Sequence, residues 1–246
     1  MKILITGASS GLGAELARQY ASKDNELILL ARREDKLFKL RKELYEKVKN
    51  IDIIVADVTD FTALQEKIKT IGIVDIVILN AGISLGHSKN PQNIPSIDEF
   101  QNLFNVNVLS NHAILEILLP KLVEQKSGKI VFISSLASLF SMPSSKIYSS
   151  SKRALNAYAE GIRYKYNRDG IKVITILPGF IKSELTDKND FNMPFLLETE
   201  DGVSRIVKAI NNNRRIYAFP LRFYLIIRFL NLLPSFLREK IVNSIN

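Results

Sequence analysis

Three polar side chains near the middle of the chain have the types and spacing that proton transfer to a bound molecule requires. Tyr148 precedes Lys152 by four residues in a helical pattern, and Ser135 lies thirteen residues before Tyr148. Positions i and i+4 share one helix face, so the Lys152 ammonium can approach the Tyr148 phenol. A phenol has a pKa near ~10, and a nearby cation lowers that value. We therefore predict that Tyr148 is a general acid or base; the alternative is an ordinary pair on a helix surface.

A glycine-rich turn at the start of the chain has the sequence context of a dinucleotide-binding turn. The apolar stretch 2–6 leads into it and a helical pattern follows, which is the order that such a turn needs. Its glycines would let pyrophosphate approach the backbone, and the free N–H groups of the helix start would face the phosphates. The residues expected to contact the dinucleotide here are Gly7, Ser9, Ser10, Gly11, Leu12 and Gly13. The spacing G-x-x-x-G-x-G differs from the common fingerprint, and a turn without a ligand is the alternative.

Together with four further segments, these motifs resemble the classical short-chain dehydrogenase/reductase family over about residues 1 to 185. The segments that carry the resemblance are the Thr6-to-Gly13 turn, Asn80-Ala81-Gly82 after an apolar strand, Asn107, Ser135, Tyr148 with Lys152, and Pro178-to-Ser183. Ser183 stands where the family usually has threonine, and Leu79 where it often has asparagine. Both residues keep the expected size or hydrogen bonding.

The resemblance implies a role for each of these side chains in hydride transfer between a nicotinamide and a carbonyl or secondary alcohol. Tyr148 would exchange the proton, Ser135 would donate a hydrogen bond to the substrate oxygen, and Lys152 would hold the nicotinamide ribose and lower the pKa of the tyrosine. Asn107 would fix a water that relays protons to Lys152. The resemblance assigns further cofactor contacts to Asp57, Val58, Asn80, Ala81, Gly82, Pro178, Gly179, Ile181 and Ser183. Asp57 would contact adenine, or it would merely cap a turn with Thr59.

The end of the strand pattern at 26–31 bears on the choice of cofactor. A dinucleotide fold usually places an acid here to bind the adenosine 2′-hydroxyl, but this strand ends at Ala31 and Arg32 follows. A guanidinium can pair with a 2′-phosphate, to which the Ser9 hydroxyl could add a contact. We therefore predict NADP(H) as the preferred cofactor and NAD(H) as the second choice. A solvated arginine offset by Glu34 is the alternative.

Composition excludes several other classes of protein. The chain of 246 residues has no cysteine, which excludes disulfides and thiolate ligands, and its two histidines, His87 and His112, are too isolated for a metal site. The net charge is +9, but the charged residues are mostly interleaved lysines and glutamates, a pattern typical of solvated helices, and we expect no nucleic-acid partner. The start of the chain does not resemble a signal peptide and no run of 18 uncharged apolar residues occurs, so we expect a cytoplasmic protein without a membrane span.

Apolar runs that alternate with helical patterns predict the fold class. The expected strands are 2–6, 26–31, 51–55, 74–79, 128–134 and 171–177, with a seventh at 216–219, and the expected helices lie near 12–23, 34–48, 61–69, 97–125, 146–168 and 200–211. The strands are uniformly apolar, as strands covered on both faces are. We predict an α/β fold over 1–246: a single-domain, Rossmann-like, doubly wound parallel sheet with helices on both faces. Asp60 and Ser96 are expected helix N-caps.

Two segments after the last motif are expected to contact the substrate or another surface. The lid, residues 183–199, is rich in apolar side chains and suggests a hydrophobic carbonyl or alcohol substrate; the alternative is that these side chains simply pack on the body of the protein. The tail, residues 220–246, is apolar and basic, with a predicted kink at Pro234. On one helical wheel, a polar stripe of Arg228, Asn231, Ser235 and Arg238 opposes Phe223, Ile226, Leu230, Leu233 and Leu237. The tail could lie on an anionic membrane as a peripheral contact, cover the substrate entrance or form a subunit interface.

The function predicted from these features is NADP(H)-dependent hydride transfer to or from a hydrophobic carbonyl or secondary alcohol, in a homodimer or homotetramer. The alternative is a non-catalytic dinucleotide-binding protein that is membrane-associated or a scaffold. The intact set of Asn107, Ser135, Tyr148 and Lys152 favours the enzyme.

Overall fold

The computed structural model of the protein describes residues 1–85, 94–189 and 191–245. For residue 245 it describes the backbone and not the side chain. His87, which the sequence places in a loop near the expected site, lies outside the described residues, as do position 190 of the lid and position 246 of the tail.

Within the described residues, seven parallel strands form one sheet in the order β3-β2-β1-β4-β5-β6-β7. The strands are β1 (Lys2–Thr6), β2 (Glu26–Ala31), β3 (Asn50–Val55), β4 (Ile76–Leu79), β5 (Gly128–Ile133), β6 (Ile171–Pro178) and β7 (Ile216–Phe219). The predicted Rossmann-like sheet is confirmed, including the seventh strand, which pairs with β6 at the edge. Only β4 is clearly shorter than predicted, because its ladder with β1 begins at Ile76.

Two apolar layers explain why the strands carry no alternation of polar and apolar residues. Neighbouring residues of a strand point to opposite faces, so Ile3 and Ile5 pack in one layer while Leu4 packs in the other. All three side chains are fully buried. Both faces of the sheet are therefore covered, as parallel strands require.

The α-helices before the tail begin and end close to the predicted positions, and two further helices, for which no bounds were predicted, lie in the tail. The helices are α1 (Gly11–Tyr20), α2 (Glu34–Leu44), α3 (Phe61–Lys69), α4 (Ile97–Phe104), α5 (Ser110–Gln125), α6 (Lys146–Tyr166), α7 (Thr199–Asn211), α8 (Leu221–Leu232) and α9 (Ser235–Ile245). Asp60 caps α3 by accepting the Ala63 N–H at 3.0 Å. Ser96 and Glu99 form a reciprocal capping box at the start of α4.

The long helical pattern 97–125 is interrupted by a π-helical turn over Asn105–Leu109. A π turn inserts a residue into the helical ladder and is frequent at functional sites, and this one carries Asn107. Among the described residues, Ile97–Gln125 is the one segment whose length and composition would suit a membrane span. Half of its most apolar window is buried inside the fold, where α5 packs against α3 and the sheet. Its buried apolar residues, such as Ile114 and Leu118, therefore belong to the core.

The lid leaves the sheet and returns to the point at which it left. Leu197 donates its N–H to the Phe180 carbonyl at 3.0 Å, and Lys182 donates to the Leu197 carbonyl at 2.9 Å. These bonds close the base of the loop, and the Leu197 side chain packs on the core. Farther out, Phe191 and Phe195 are partly exposed.

The tail differs from its prediction, because Pro234 separates two helices instead of bending one. Leu233 is extended, as the residue before a proline tends to be, and α9 begins afresh at Ser235. A single helical wheel therefore does not extend across the tail. Asn231, predicted on the polar stripe, donates to the Leu139 carbonyl at 2.9 Å and faces the body of the protein.

Candidate active site

The candidate site is a cleft of about 320 Å³ at the carboxyl edge of the sheet. It lies where β1 and β4 are neighbours and the strand order reverses direction, which is where open α/β sheets bind ligands. Thr6 and Asn80 hold the two strand ends together. The Thr6 hydroxyl accepts the N–H groups of Asn80 and Ala81, each at 2.9 Å, and the Asn80 amide donates to the Thr6 carbonyl at 2.9 Å.

Close contacts show why the turn after β1 needs its glycines. Gly7 has a φ of +66°, and a Cβ on it would lie 2.9 Å from the Ala81 Cα. A Cβ on Gly13 would lie 2.2 Å from the Gly7 carbonyl oxygen. The start of α1 therefore lies close against the residues that follow β1 and β4, and its first residues, Gly11 and Leu12, line the cleft, as in an anion-binding turn.

Ser135, Tyr148 and Lys152 meet on one wall of the cleft. Ser135 follows β5 and accepts the Ala137 N–H at 3.1 Å, and it shares a side-chain hydrogen bond with Tyr148. Lys152 is buried, and its ammonium donates to the Ile133 carbonyl at 2.9 Å. One turn of α6 puts this ammonium 5.7 Å from the centroid of the Tyr148 ring. The spacing of the sequence thus brings all three side chains together.

The electrostatics of the pair differ from the expectation that Lys152 lowers the pKa of Tyr148. Burial raises the pKa of the Tyr148 phenol, and the bond with Ser135 offsets this only in part. Burial lowers the pKa of Lys152 to about 8. The Lys152 ammonium donates to a backbone carbonyl and not to the phenol oxygen. Loss of solvent therefore shifts the pKa values of both groups more than their mutual attraction does.

Asn107 lies fully buried in the π turn and is held on three sides. Its amide oxygen accepts the Ile83 N–H at 2.8 Å, and its nitrogen donates to the Ile83 carbonyl and the Ser151 hydroxyl, each at 3.0 Å. A Cβ on Gly82 would lie 3.4 Å from both this amide oxygen and the Lys152 nitrogen. Asn107 and Lys152 therefore flank the same short piece of backbone at the cleft.

At the adenosine end of the cleft, Arg32 and Asp57 form an exposed ion pair at 3.2 Å. Asp57 also accepts the N–H and the hydroxyl of Thr59, at 2.9 and 2.7 Å, so the turn-capping alternative for this residue is present in the structure. The Arg32 side chain is 78% exposed. Both Arg32 and Asp57 line the cleft, and neither is buried.

Arg33 is a charged residue of the cleft that the sequence interpretation missed. Its guanidinium donates to both serines of the glycine turn, to Ser9 at 3.2 Å and to Ser10 by a short bond. It also donates to Glu184 at 2.7 Å, and Lys36 donates to the same carboxylate at 2.6 Å. These cations hold the pKa of Glu184 down to about 2. The sequence offers no criterion for preferring Arg33 to the adjacent Arg32 as the residue that bonds to the glycine turn. Glu184 is too distant in sequence to be recognised as its partner.

The remaining predicted residues also lie along the cleft. They are Gly7, Ser9, Ser10, Gly11, Leu12, Val58, Asn80, Ala81, Gly82, Pro178, Gly179, Ile181 and Ser183, whereas Gly13 lies beneath the turn and does not line the cleft. Ser183 is tied to Thr186, since its N–H donates to the Thr186 hydroxyl at 2.8 Å. Thr186, Ile83 and Leu185 line the cleft as well and carried no motif that would have identified them.

These residues fit a dinucleotide. Backbone N–H groups at a helix start and the close glycine contacts suit a pyrophosphate. Arg32 and Arg33 lie at one end of the cleft, and the hydroxyls of Ser135 and Tyr148 lie with the buried Lys152 amine at the other end. The glycine turn would hold the pyrophosphate, and Lys152 with the Asn80-to-Gly82 segment would hold the nicotinamide half.

Comparison with known proteins assigns the class. The short chain dehydrogenase family model matches residues 1–193. The chain therefore belongs to the short-chain dehydrogenase/reductase family and is an NAD(P)-dependent oxidoreductase.

Similar proteins are found among both curated sequences and solved structures. An uncharacterized oxidoreductase of Myxococcus xanthus is 35% identical over 236 residues, which cover 94% of this chain and 92% of the relative. The 11-beta-hydroxysteroid dehydrogenase-like 2 of Arabidopsis thaliana is 34% identical over 222 residues, covering 85% and 68% of the two chains. A short-chain dehydrogenase from Sphingobium yanoikuyae in complex with NADPH superposes with a TM-score of 0.82 at 22% identity, over 95% of this chain and 96% of that one, which shows a shared fold.

Proposed function

We propose that the protein transfers hydride between NADP(H) and a carbonyl or secondary alcohol on an apolar substrate. The observation that carries this proposal is the arrangement of Ser135, Tyr148 and Lys152 on one wall of the cleft, with Asn107 behind them. The test is turnover by the purified protein with NADPH and a panel of ketones and aldehydes. Failure to turn over any carbonyl or alcohol would contradict it.

Each side chain has a task that its surroundings support. Nicotinamide, when bound, supplies the hydride. Tyr148 gives its proton to the oxygen of the carbonyl, and Ser135, already bonded to Tyr148, donates to the same oxygen. Lys152 lies close to the tyrosine ring and, with a pKa of about 8, exchanges protons near neutral pH. Asn107 would hold a water near Lys152, since both flank Gly82.

The preference for NADP(H) is supported by charge at the adenosine end. Arg32 and Arg33 both line this end, and a carboxylate positioned to receive a ribose 2′-hydroxyl does not follow β2. The Sphingobium neighbour with the same fold was solved with NADPH. Dissociation constants for NADPH and NADH test the preference, and equal values would contradict it. NAD(H) would then serve equally well.

An apolar substrate is supported by a cluster of four aromatic rings that reaches the wall of the cleft at Gly179, where an added Cβ would lie 3.3 Å from the Phe223 ring. Phe180 packs 5.8 Å from Phe191 and 5.9 Å from Phe223, and Phe223 packs 5.9 Å from Phe195. The name of the Arabidopsis relative also refers to a bulky apolar alcohol. We expect kcat/KM to rise with the apolar surface of the ketone. Equal kcat/KM for small polar and bulky apolar ketones would contradict this part of the proposal.

The exposed side of α8 supports a peripheral contact with an anionic membrane. Leu221, Leu225, Phe229 and Leu232 lie three or four residues apart on one exposed stripe, which we call the α8 stripe. Arg222 and Arg228 flank it, as basic residues flank the apolar face of an interfacial helix. A homodimer or homotetramer that buries the stripe is the competing proposal, and a cytoplasmic location remains a prediction.

A further inference from the structure

A charged bridge crosses the cofactor cleft between segments that are distant in sequence. Arg33 and Lys36 lie at the start of α2 on one side, and Glu184 lies on the other side, directly after Ser183. Ser183 packs against the glycine turn, because a Cβ added to Gly11 would lie 3.2 Å from the Ser183 Cβ. The Glu184 carboxylate therefore joins α2 to the first residues of the lid above the turn expected to hold the pyrophosphate.

The geometry around Arg33 resembles the environment of a bound phosphate. Its guanidinium is oriented by Ser9 and Ser10 through Nε and Nη2, and its third nitrogen, Nη1, donates to the Glu184 carboxylate. Lys36 completes a two-cation site around the same acid. All three charged side chains are only partly buried, with 38% of Arg33, 38% of Lys36 and 52% of Glu184 exposed, so the carboxylate can be exchanged for another anion.

We propose that Glu184 occupies the position of the cofactor 2′-phosphate on Arg33 and Lys36, and that a 2′-phosphorylated nucleotide displaces it. A phosphate carries more charge than a carboxylate and offers more oxygens to the guanidinium fork, so it replaces the acid. A nucleotide with only a 2′-hydroxyl cannot replace it. Glu184 thus moderates the preference for NADP(H), because only a 2′-phosphorylated nucleotide has to displace it, and its release frees the first residues of the lid when NADP(H) binds.

Linkage gives the direction of the effect. A nucleotide that must displace Glu184 binds more weakly by the free energy of the lost ion pairs, and removing the carboxylate recovers that loss. Half-exposed ion pairs contribute little each, so we expect a gain in affinity of about threefold to tenfold for the two pairs together. The gain should be specific to ligands that carry a 2′-phosphate.

The test measures binding of adenosine 2′,5′-bisphosphate and of 5′-ADP to the whole protein by calorimetry, so that it needs no turnover. Glu184→Gln should bind the bisphosphate about threefold to tenfold more tightly than wild type, with 5′-ADP unchanged. Glu198→Gln is the matched control, because Glu198 pairs with Lys182 at 3.5 Å at the base of the same lid, outside the cleft. It removes the same charge and should change neither affinity. In an Arg33→Ala background, the gain from Glu184→Gln should shrink toward onefold.

The inference rests on the proposed NADP(H) preference, and the two can fail separately. Equal binding of both probes by wild type would contradict the preference and, with it, the inference. A preference for the bisphosphate in wild type, with Glu184→Gln weaker than wild type or no tighter than Glu198→Gln, would overturn the inference alone. An equal gain for both probes would also overturn it, since the carboxylate would then oppose any nucleotide.

Discussion

Around the cofactor cleft, polar side chains such as Asn107 and Lys152 are buried and hydrogen-bonded, whereas along α8 apolar side chains such as Phe229 lie in solvent. Burial of an amide or an ammonium is costly unless each group finds a partner, so residue type and spacing are tightly constrained near the cleft. An exposed apolar stripe imposes no such constraint, because many combinations of leucine, isoleucine and phenylalanine would form it. The polar residues of the cleft can therefore be recognised from sequence motifs. The segments expected to contact the substrate or another surface can be recognised only from the folded structure.

The largest expected effect comes from the cleft. Tyr148→Phe removes the proposed proton donor while keeping the ring beside Lys152, so turnover should fall by about 10²–10⁴-fold. NADPH affinity should stay within about threefold, since the hydroxyl bonds to Ser135 and serves the substrate oxygen. Single-turnover kinetics and a binding titration check the two parts. Near-normal turnover would remove the tyrosine from the mechanism.

The two arginines at the adenosine end should differ in effect, although they are adjacent in sequence. Arg33→Ala should weaken NADPH binding by about tenfold to a hundredfold, because it removes an oriented, charge-assisted contact. Arg32→Ala should cost no more than about fivefold, since that side chain is largely exposed. NADH is the control ligand and should respond weakly to both changes. A larger effect of Arg32 would return the 2′-phosphate contact to the residue that the sequence suggested.

Burial of the Lys152 ammonium should lower the free energy of unfolding of the protein. Its pKa is about 8 in the folded state, against 10.5 for a lysine in water, so the unfolded chain binds more protons between these values. Stability of the wild type therefore rises as pH increases from about 8 to 10.5, and the full cost applies below pH 8. Lys152→Met should raise the free energy of unfolding at pH 7 by about 2 kcal/mol, after allowing about 1 kcal/mol for the bond to Ile133.

Urea unfolding of wild type and Lys152→Met at pH 7 and pH 10 measures this difference. The advantage of the variant should shrink at the higher pH. A variant less stable than wild type at pH 7 would show that the ammonium contributes more through its hydrogen bond than its burial costs.

The smallest effect on stability should come from the α8 stripe. Replacing Leu225 and Phe229 together by serine should change the free energy of unfolding by no more than about 0.5 kcal/mol, because both side chains are exposed. The same change should abolish flotation with anionic vesicles. Phe38→Ser is the control, since Phe38 is an exposed aromatic residue on α2, away from the stripe. A shift from dimer to monomer in sedimentation, without flotation of the wild type, would assign the stripe to a subunit interface.

The sequence predicted most of the cleft because its requirements are local. A glycine turn between a strand and a helix, a tyrosine one helical turn before a lysine, and an asparagine after an apolar strand each depend on backbone geometry within a few residues. The strand and helix pattern predicted the sheet for the same reason. The π turn at Asn107 was not predictable from periodicity, because one inserted residue leaves the apolar pattern almost unchanged.

Amino-acid order alone determined the family, the parallel sheet and the identity of the side chains proposed to exchange protons, since these follow from local spacing and from strands buried on both faces. Tertiary structure alone decided that Arg33 faces the glycine turn and that Glu184 bonds to Arg33, which lies 151 residues earlier in the chain. It also decided that Asn231 faces the body of the protein while Phe229 faces solvent. The physical reason is that these contacts depend on how separate elements are placed against one another. A change in the packing of α2, the lid or α8 would alter them without altering a single motif.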